Sequence, residues 1–109
     1  MKRGEVWMVN FDPQIGSEIR HDRPAVVVER EPFTRLRRTV TVIPLSTAHT
    51  QTEFPLLIAT RFLGRSEVAV IDQLRACDKR RFGRHVGRLT DSEMQQVSSA
   101  LADLLDLAG

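Results

Sequence analysis

The chain has 109 residues, of which 41% are hydrophobic and 28% charged, and 16 Lys and Arg against 14 Asp and Glu give a formal charge of +2. This composition fits one compact domain spanning 1–109, with a modest core, and argues against disorder. No apolar run approaches the roughly 18 to 20 residues of a membrane span, and a lone cysteine, Cys77, offers no internal disulfide, as expected of a reducing cytoplasm.

The first residues, Met1 to Glu5, lead directly into a strand-like pattern without a signal-peptide apolar stretch. Gly4 to Phe11 (GEVWMVNF) has the β-branched and aromatic content of a strand. Asp12 to Arg23 follows as a polar loop with Pro and Gly, and a loop this long in a small domain is more often functional than connective. Pro24 to Glu29, Thr39 to Leu45, Phe54 to Thr60 and Glu67 to Asp72 read as four more strands. The spacers between them are too short for crossover helices, which predicts a curved antiparallel sheet or small SH3-like barrel. Finally, Met94, Val97, Leu101, Leu104 and Ala108 recur at helical spacing, behind a Thr90/Glu93 capping-box pattern with Asp91 in the first turn. The expected fold is mainly β with a C-terminal α-helix laid across the sheet.

The small net charge conceals a division. Residues 1–88 hold every Lys and Arg and carry +6, whereas residues 89–109 hold four acids and no Lys or Arg. Within the basic part, Arg35, Arg37 and Arg38 form one cluster, and Arg75, Lys79, Arg80, Arg81, Arg84 and Arg88 another. Such a body with an acidic tail element suggests a polyanionic partner; solvated loop arginines are the bland alternative.

The motif inventory is mostly negative. His21, His49 and His85 are scattered in sequence, and no CxxC, HExxH or EF-hand spacing occurs, so neither a metal nor another cofactor is expected. Phosphate-binding Gly-rich loops and nucleophile elbows are absent, and Cys77 reads as a small packed residue. What remains lies beside strand ends: Arg23, held extended by Pro24; the hydroxyls of Ser46 and Thr47; and Asp72, Gln73 and Arg75. Where strand ends converge on one rim, these groups suit recognition of a phosphate.

The run RGEVWMVNFDPQIGSE at 3–18 resembles the opening of the MazF/PemK (Kid) toxins, and RPAVVV at 23–28, VIPLST at 42–47, VAVIDQ at 68–73 and VGRL at 86–89 follow in that family's order. The likeness extends over roughly residues 3–107. It implies a homodimeric toxin of a type II toxin–antitoxin system that cleaves single-stranded RNA, usually mRNA, in the cytoplasm, without a metal and without any membrane association. A MazE-like antitoxin would inhibit it by laying an acidic segment over the basic groove.

Residue by residue, the resemblance makes Arg23 catalytic and places a second active-site hydroxyl at Ser46, where the family often has Thr. Some relatives carry a catalytic arginine two residues before the DQ pair; here that position is Val70, and no role transfers. Metal-free cleavage uses the substrate's own 2′-hydroxyl, leaving a 2′,3′-cyclic phosphate and a 5′-hydroxyl. It requires charge stabilisation at phosphorus, a proton acceptor and a proton donor. Arginine serves the first need far better than it serves as a base. His21, Glu18 and Asp72 are the candidates for proton transfer, His21 foremost because histidine titrates near neutrality.

RNA contacts are expected from Asp12, Gln14 and Ser17 in the first loop, from Thr47, Gln73 and Arg75 beside strand ends, and from Arg35 and Arg37 in the 30–38 segment. Trp7 and Phe11 read as core or dimer contacts, so base-edge hydrogen bonds should dominate over stacking. Two other functions remain open on the same features: a toxin of this fold that poisons DNA gyrase, and a non-catalytic RNA-binding regulator.

Overall fold

The computed structural model describes residues 1–12, 22–47, 56–62 and 67–107. Seven strands occur among them: β1 (Glu5–Asn10), β2 (Asp22–Val27), β3 (Thr39–Ser46), β4 (Leu57–Thr60), β5 (Glu67–Val70), β6 (Arg75–Asp78) and β7 (Phe82–Arg88). A one-turn helix, α1 (Phe33–Leu36), lies between β2 and β3, and a 14-residue helix, α2 (Asp91–Leu104), follows β7. All strand pairings are antiparallel, along an open path β4-β5-β3-β2-β1-β7 with β6 also on β3. The expected mainly β fold with a C-terminal helix is the one observed.

β3 organises the sheet. Its first half, Thr39 to Val42, pairs with β6, and Leu45 and Ser46 on the same strand pair with β5. Pro44, which has no N–H to donate, falls in the gap between these two partners. The central strands β1, β2 and β3 present a core on each face because their side chains alternate. Val6, Val26, Ile43 and Leu45 pack on one face with Ile58, Ala69, Ile71 and Leu89, under Met94, Val97 and Ala100 of α2. On the other face Val9, Ala25, Val27, Val40, Val42 and Cys77 form a second core, flanked by half-buried Met1, Trp7, Phe11 and Phe82.

The helix starts as expected. The Thr90 side chain accepts from the Glu93 amide at 3.1 Å while Glu93 accepts from the Thr90 amide at 2.9 Å. Its buried stripe differs at the far end: Ala100 is fully buried, Leu101 half-buried, and Leu104 is 40% exposed. Ala108 lies outside the described residues.

Other boundaries shift for local reasons. The chain leaves β5 after Val70 and makes a 3-10 turn over Ile71–Gln73, so Asp72 sits on a turn instead of a strand. Residues 54 and 55, expected in the fourth strand, lie outside the described residues. β6 and β7 were hidden by their composition. RACD and FGRHVGR show no apolar alternation, and Cys77 is the only fully buried residue of the two strands.

Candidate active site

Arg23 stands on β2 opposite Val9 of β1, with its side chain exposed. Pro24 directly after it keeps the backbone extended, so the guanidinium is presented at the end of a strand instead of on a loop. Ser46 is the last residue of β3 and pairs with Val68 of β5 on one edge. On the other edge, β2 and β3 run in the register Ala25↔Pro44, Val26↔Ile43, Val27↔Val42. Continued two residues, that register sets Arg23 opposite Ser46, two positions that are distant in sequence.

Strand alternation puts both on the face of the second core. Arg23 shares the side of Ala25 and Val27, and Ser46 that of Val40 and Val42, all in that core. Arg75 joins the same face, because it opposes Val42 and lies two residues before Cys77. Its guanidinium carbon sits 5.3 Å from the centre of the Phe11 ring, at the end of β1. The rim of the second core therefore gathers two exposed guanidiniums, a half-buried hydroxyl and an aromatic face. Thr47, just past β3, and Asp72 and Gln73, on the turn into β6, are exposed beside it. Two cations with a hydroxyl at one rim suit a phosphodiester, whose oxygens accept paired N–H bonds from an arginine fork.

The start of the 12–23 segment is fixed by a residue that sequence reasoning assigned no role. Arg81, on the turn before β7, donates to the carbonyl of Asn10 at 3.2 Å and to that of Asp12. The buried Asn10 side chain in turn accepts from the Asp12 amide at 2.8 Å. Only the general basic cluster hinted at Arg81; a clamp between positions 69 and 71 residues apart leaves no local pattern. Gln14, Ser17, Glu18 and His21 lie outside the described residues.

His85, the one histidine among the described residues, packs against Trp7. Its ring stacks on Trp7 with centroids 5.1 Å apart, and its Nε2 lies 2.8 Å from the Gly87 carbonyl oxygen and 3.9 Å from Glu5 Oε2. Glu5 also accepts from the Trp7 indole at 3.1 Å. Burial opposes ionisation of Glu5, yet the Lys2 amide, the indole and His85 together lower its pKa. Burial pushes the Cys77 thiol up, despite Arg75 and Arg81 nearby, which marks it as a packed group rather than a nucleophile. Among the described residues no three His, Cys, Asp or Glu side chains converge as metal ligands would, and no helix is long and apolar enough to cross a membrane.

Arg35 and Arg37 do not join the Arg23–Ser46 rim. Both precede β3, whereas Ser46 ends it. Arg37 is engaged in an ion pair with Glu29, and Arg35 is exposed on α1.

Comparisons with known proteins agree with this architecture. Residues 2–105 match the family model of the PemK-like, MazF-like toxins of type II toxin–antitoxin systems. The chain is 36% identical to Endoribonuclease MazF9 of Mycobacterium tuberculosis, with 98% of each chain covered. It is 29% identical to Endoribonuclease PemK of Escherichia coli, covering 96% of this chain and 82% of that one. Among solved structures, a mycobacterial endoribonuclease in complex with its cognate antitoxin shares the fold, with a TM-score of 0.82 at 21% identity over 100% of this chain and 98% of the other.

Proposed function

The chain belongs to the PemK-like, MazF-like toxins of type II toxin–antitoxin systems, and from that membership we propose that it is an endoribonuclease cleaving single-stranded RNA, chiefly mRNA, in the cytoplasm. The reading is supported by the β2–β3 register, which continued two residues brings Arg23 level with Ser46, in a chain matched by the family model over residues 2–105.

In this reading the RNA 2′-oxygen attacks the adjacent phosphorus as its proton passes to a base. The new O2′–P bond forms, the P–O5′ bond breaks, and the departing 5′-oxygen takes up a proton. Arg23 spans two phosphoryl oxygens and is worth most at the phosphorane, where charge accumulates. Ser46 donates a hydrogen bond to a third position on the phosphate. Asp72, exposed beside the rim, and His21 and Glu18 are the candidates for proton transfer. Arg75, Thr47, Gln73 and Asp12 contact the strand near the scissile position, as do Gln14 and Ser17 of the first loop. Arg35 and Arg37 contact it further away.

The reaction needs no metal, because the substrate supplies its own nucleophile. The functional unit is a homodimer of the 1–109 domain, and its inhibitor is a MazE-like antitoxin, since a relative of the same fold is found in complex with its cognate antitoxin. The test is incubation of the purified protein with defined single-stranded RNA in EDTA, with the ends mapped. Cyclic-phosphate and 5′-hydroxyl ends that disappear in Arg23→Ala support the reading. Intact RNA, with DNA breaks trapped on gyrase instead, overturns it.

A further inference from the structure

At the opposite end of β3 from Ser46 the structure forms a second cationic site. Arg37, Arg38, Asp78, Lys79 and Arg80 line a cleft of about 490 Å³, within the size range of small-molecule sites. The β3–β6 pairing builds it: Thr39 opposes Asp78, and the Lys79 amide donates to the Arg38 carbonyl at 2.8 Å, so the two basic segments meet across one strand end. Four cations face two carboxylates. Glu29 holds Arg37, with Thr41 Oγ1 donating to the same carboxylate at 2.9 Å, and Asp78 holds Arg80 at 3.1 Å. These acids orient two guanidiniums and leave the cleft with a positive excess.

Beside it, α1 exposes Phe33 at 47%, with the Arg30 guanidinium 5.7 Å from its ring centre. An exposed aromatic flanked by arginines is a stacking surface that every nucleobase fits, and fork-shaped donors match phosphate oxygens. We propose that this cleft is an exosite for single-stranded RNA, gripping phosphates outside the cleaved position while Phe33 stacks a flanking base. The site rests on the ribonuclease reading and extends it. Thr39, at its near edge, is about 23 Å along β3 from Ser46, a span of about seven nucleotides at a stacked spacing of roughly 3.4 Å, fewer for a stretched strand.

The test compares a short RNA that fills only the Arg23–Ser46 rim with one about ten nucleotides longer, both measured for cleavage by the intact chain and for binding by an Arg23→Ala background. Removing two phosphate contacts in Arg38→Ala/Lys79→Ala should reduce the salt slope for the long RNA by about 1.4 and weaken its binding roughly tenfold at physiological salt. Binding of the short RNA should not change, and that also shows that the variant is folded. Phe33→Ala should weaken the long RNA alone, and Phe33→Trp should restore it. Equal binding of the long RNA by the parent and the double variant overturns the exosite, as does a loss seen with an acidic peptide but not with RNA. Failure of the intact chain to cleave either RNA instead sinks the ribonuclease reading, so the two failures are distinguishable.

Discussion

Arg75 and Phe11 meet across the rim of the second core, with the guanidinium carbon 5.3 Å from the ring centre. They come from the first residue of β6 and the residue after β1, elements that do not pair with each other. The contact steers a long, exposed side chain toward the side of the sheet that carries Arg23 and Ser46. A cation–π contact at an exposed site is worth about 0.5–1 kcal/mol. Phe11→Leu, which keeps bulk but removes the π face, should therefore lower kcat/KM on RNA by about two- to fivefold. Arg75→Ala should cost more and act mainly through KM. Unchanged KM in Arg75→Ala would separate that residue from the substrate.

Arg23 and Ser46 should differ in how they tolerate conservative change. Removing a preorganised donor to a developing oxyanion costs about 10²–10³ in rate, so Arg23→Ala should lose at least that much. Arg23→Lys should recover little, because an ammonium is a point charge and cannot make two parallel bonds. In the proposed reaction the residue at position 46 acts through its hydroxyl alone: Ser46→Ala should slow turnover, whereas Ser46→Thr should retain most of it. Single-turnover cleavage assays decide both, and wild-type rates in Ser46→Ala would take its hydroxyl out of the reaction.

What could be read from the residues depended on how local each signal was. The dense β-branched runs of β1, β2 and β3 and the Thr90–Glu93 box announce themselves within a few positions, and the structure agrees with them. Arg23 stood out because Pro24 constrains its backbone. β7 did not, because Gly, Arg and His alternate there with little burial, and its pairing with β1 is broken by register shifts around Trp7. The Arg81 clamp, the Trp7–His85 stack and the Arg38–Lys79 junction are cross-strand facts. Register decides them, and register is a property of the whole sheet. Leu104 illustrates the reverse error: its helical spacing is right, but by that turn the helix has passed the edge of the core, and Ala100 takes the buried place.

Gly87 in the VGRL run is required by packing. Its φ is +156°, and a Cβ there would lie 2.6 Å from Phe62 Cε2 and 3.0 Å from Cζ. Phe62 is buried in the core beneath α2, so its ring has little room to retreat. Gly87→Ala should destabilise the fold by about 1–3 kcal/mol, the usual cost of overpacking. A matching fall in the urea midpoint checks this, and partial recovery in Gly87→Ala/Phe62→Leu would assign the cost to that clash.

Glu93 does two jobs at the start of α2. One oxygen accepts from the Thr90 amide, closing the capping box, and the other accepts from the Arg61 amide at 2.8 Å, just past β4. Thr90→Ala should cost about 1 kcal/mol, as lost N-caps do. Glu93→Ala should cost more, because it also leaves the Arg61 amide without its acceptor. Equal losses in the two variants, measured by chemical denaturation, would mean that the Arg61 link adds nothing.

Acid should weaken the fold, and the sign follows from three glutamates. Burial raises the pKa of Glu29, but the hydrogen bonds from Arg37 and Thr41 outweigh it and leave the carboxyl below its ordinary 4.5. Burial likewise opposes ionisation of Glu93, and the amides of Thr90 and Arg61 reverse that. Glu5 is lowered by Lys2, Trp7 and His85 against the same penalty. In each case the unfolded chain binds a proton more readily than the folded one. Their contribution is therefore complete above the unfolded value of 4.5 and is lost as pH falls through the lower folded values. Unfolding free energy should fall steadily from about pH 5 to pH 3, and Glu29→Gln should flatten part of that slope while lowering stability at neutral pH. A stability that stays level across this range would show that the three carboxylates are no better off folded than unfolded.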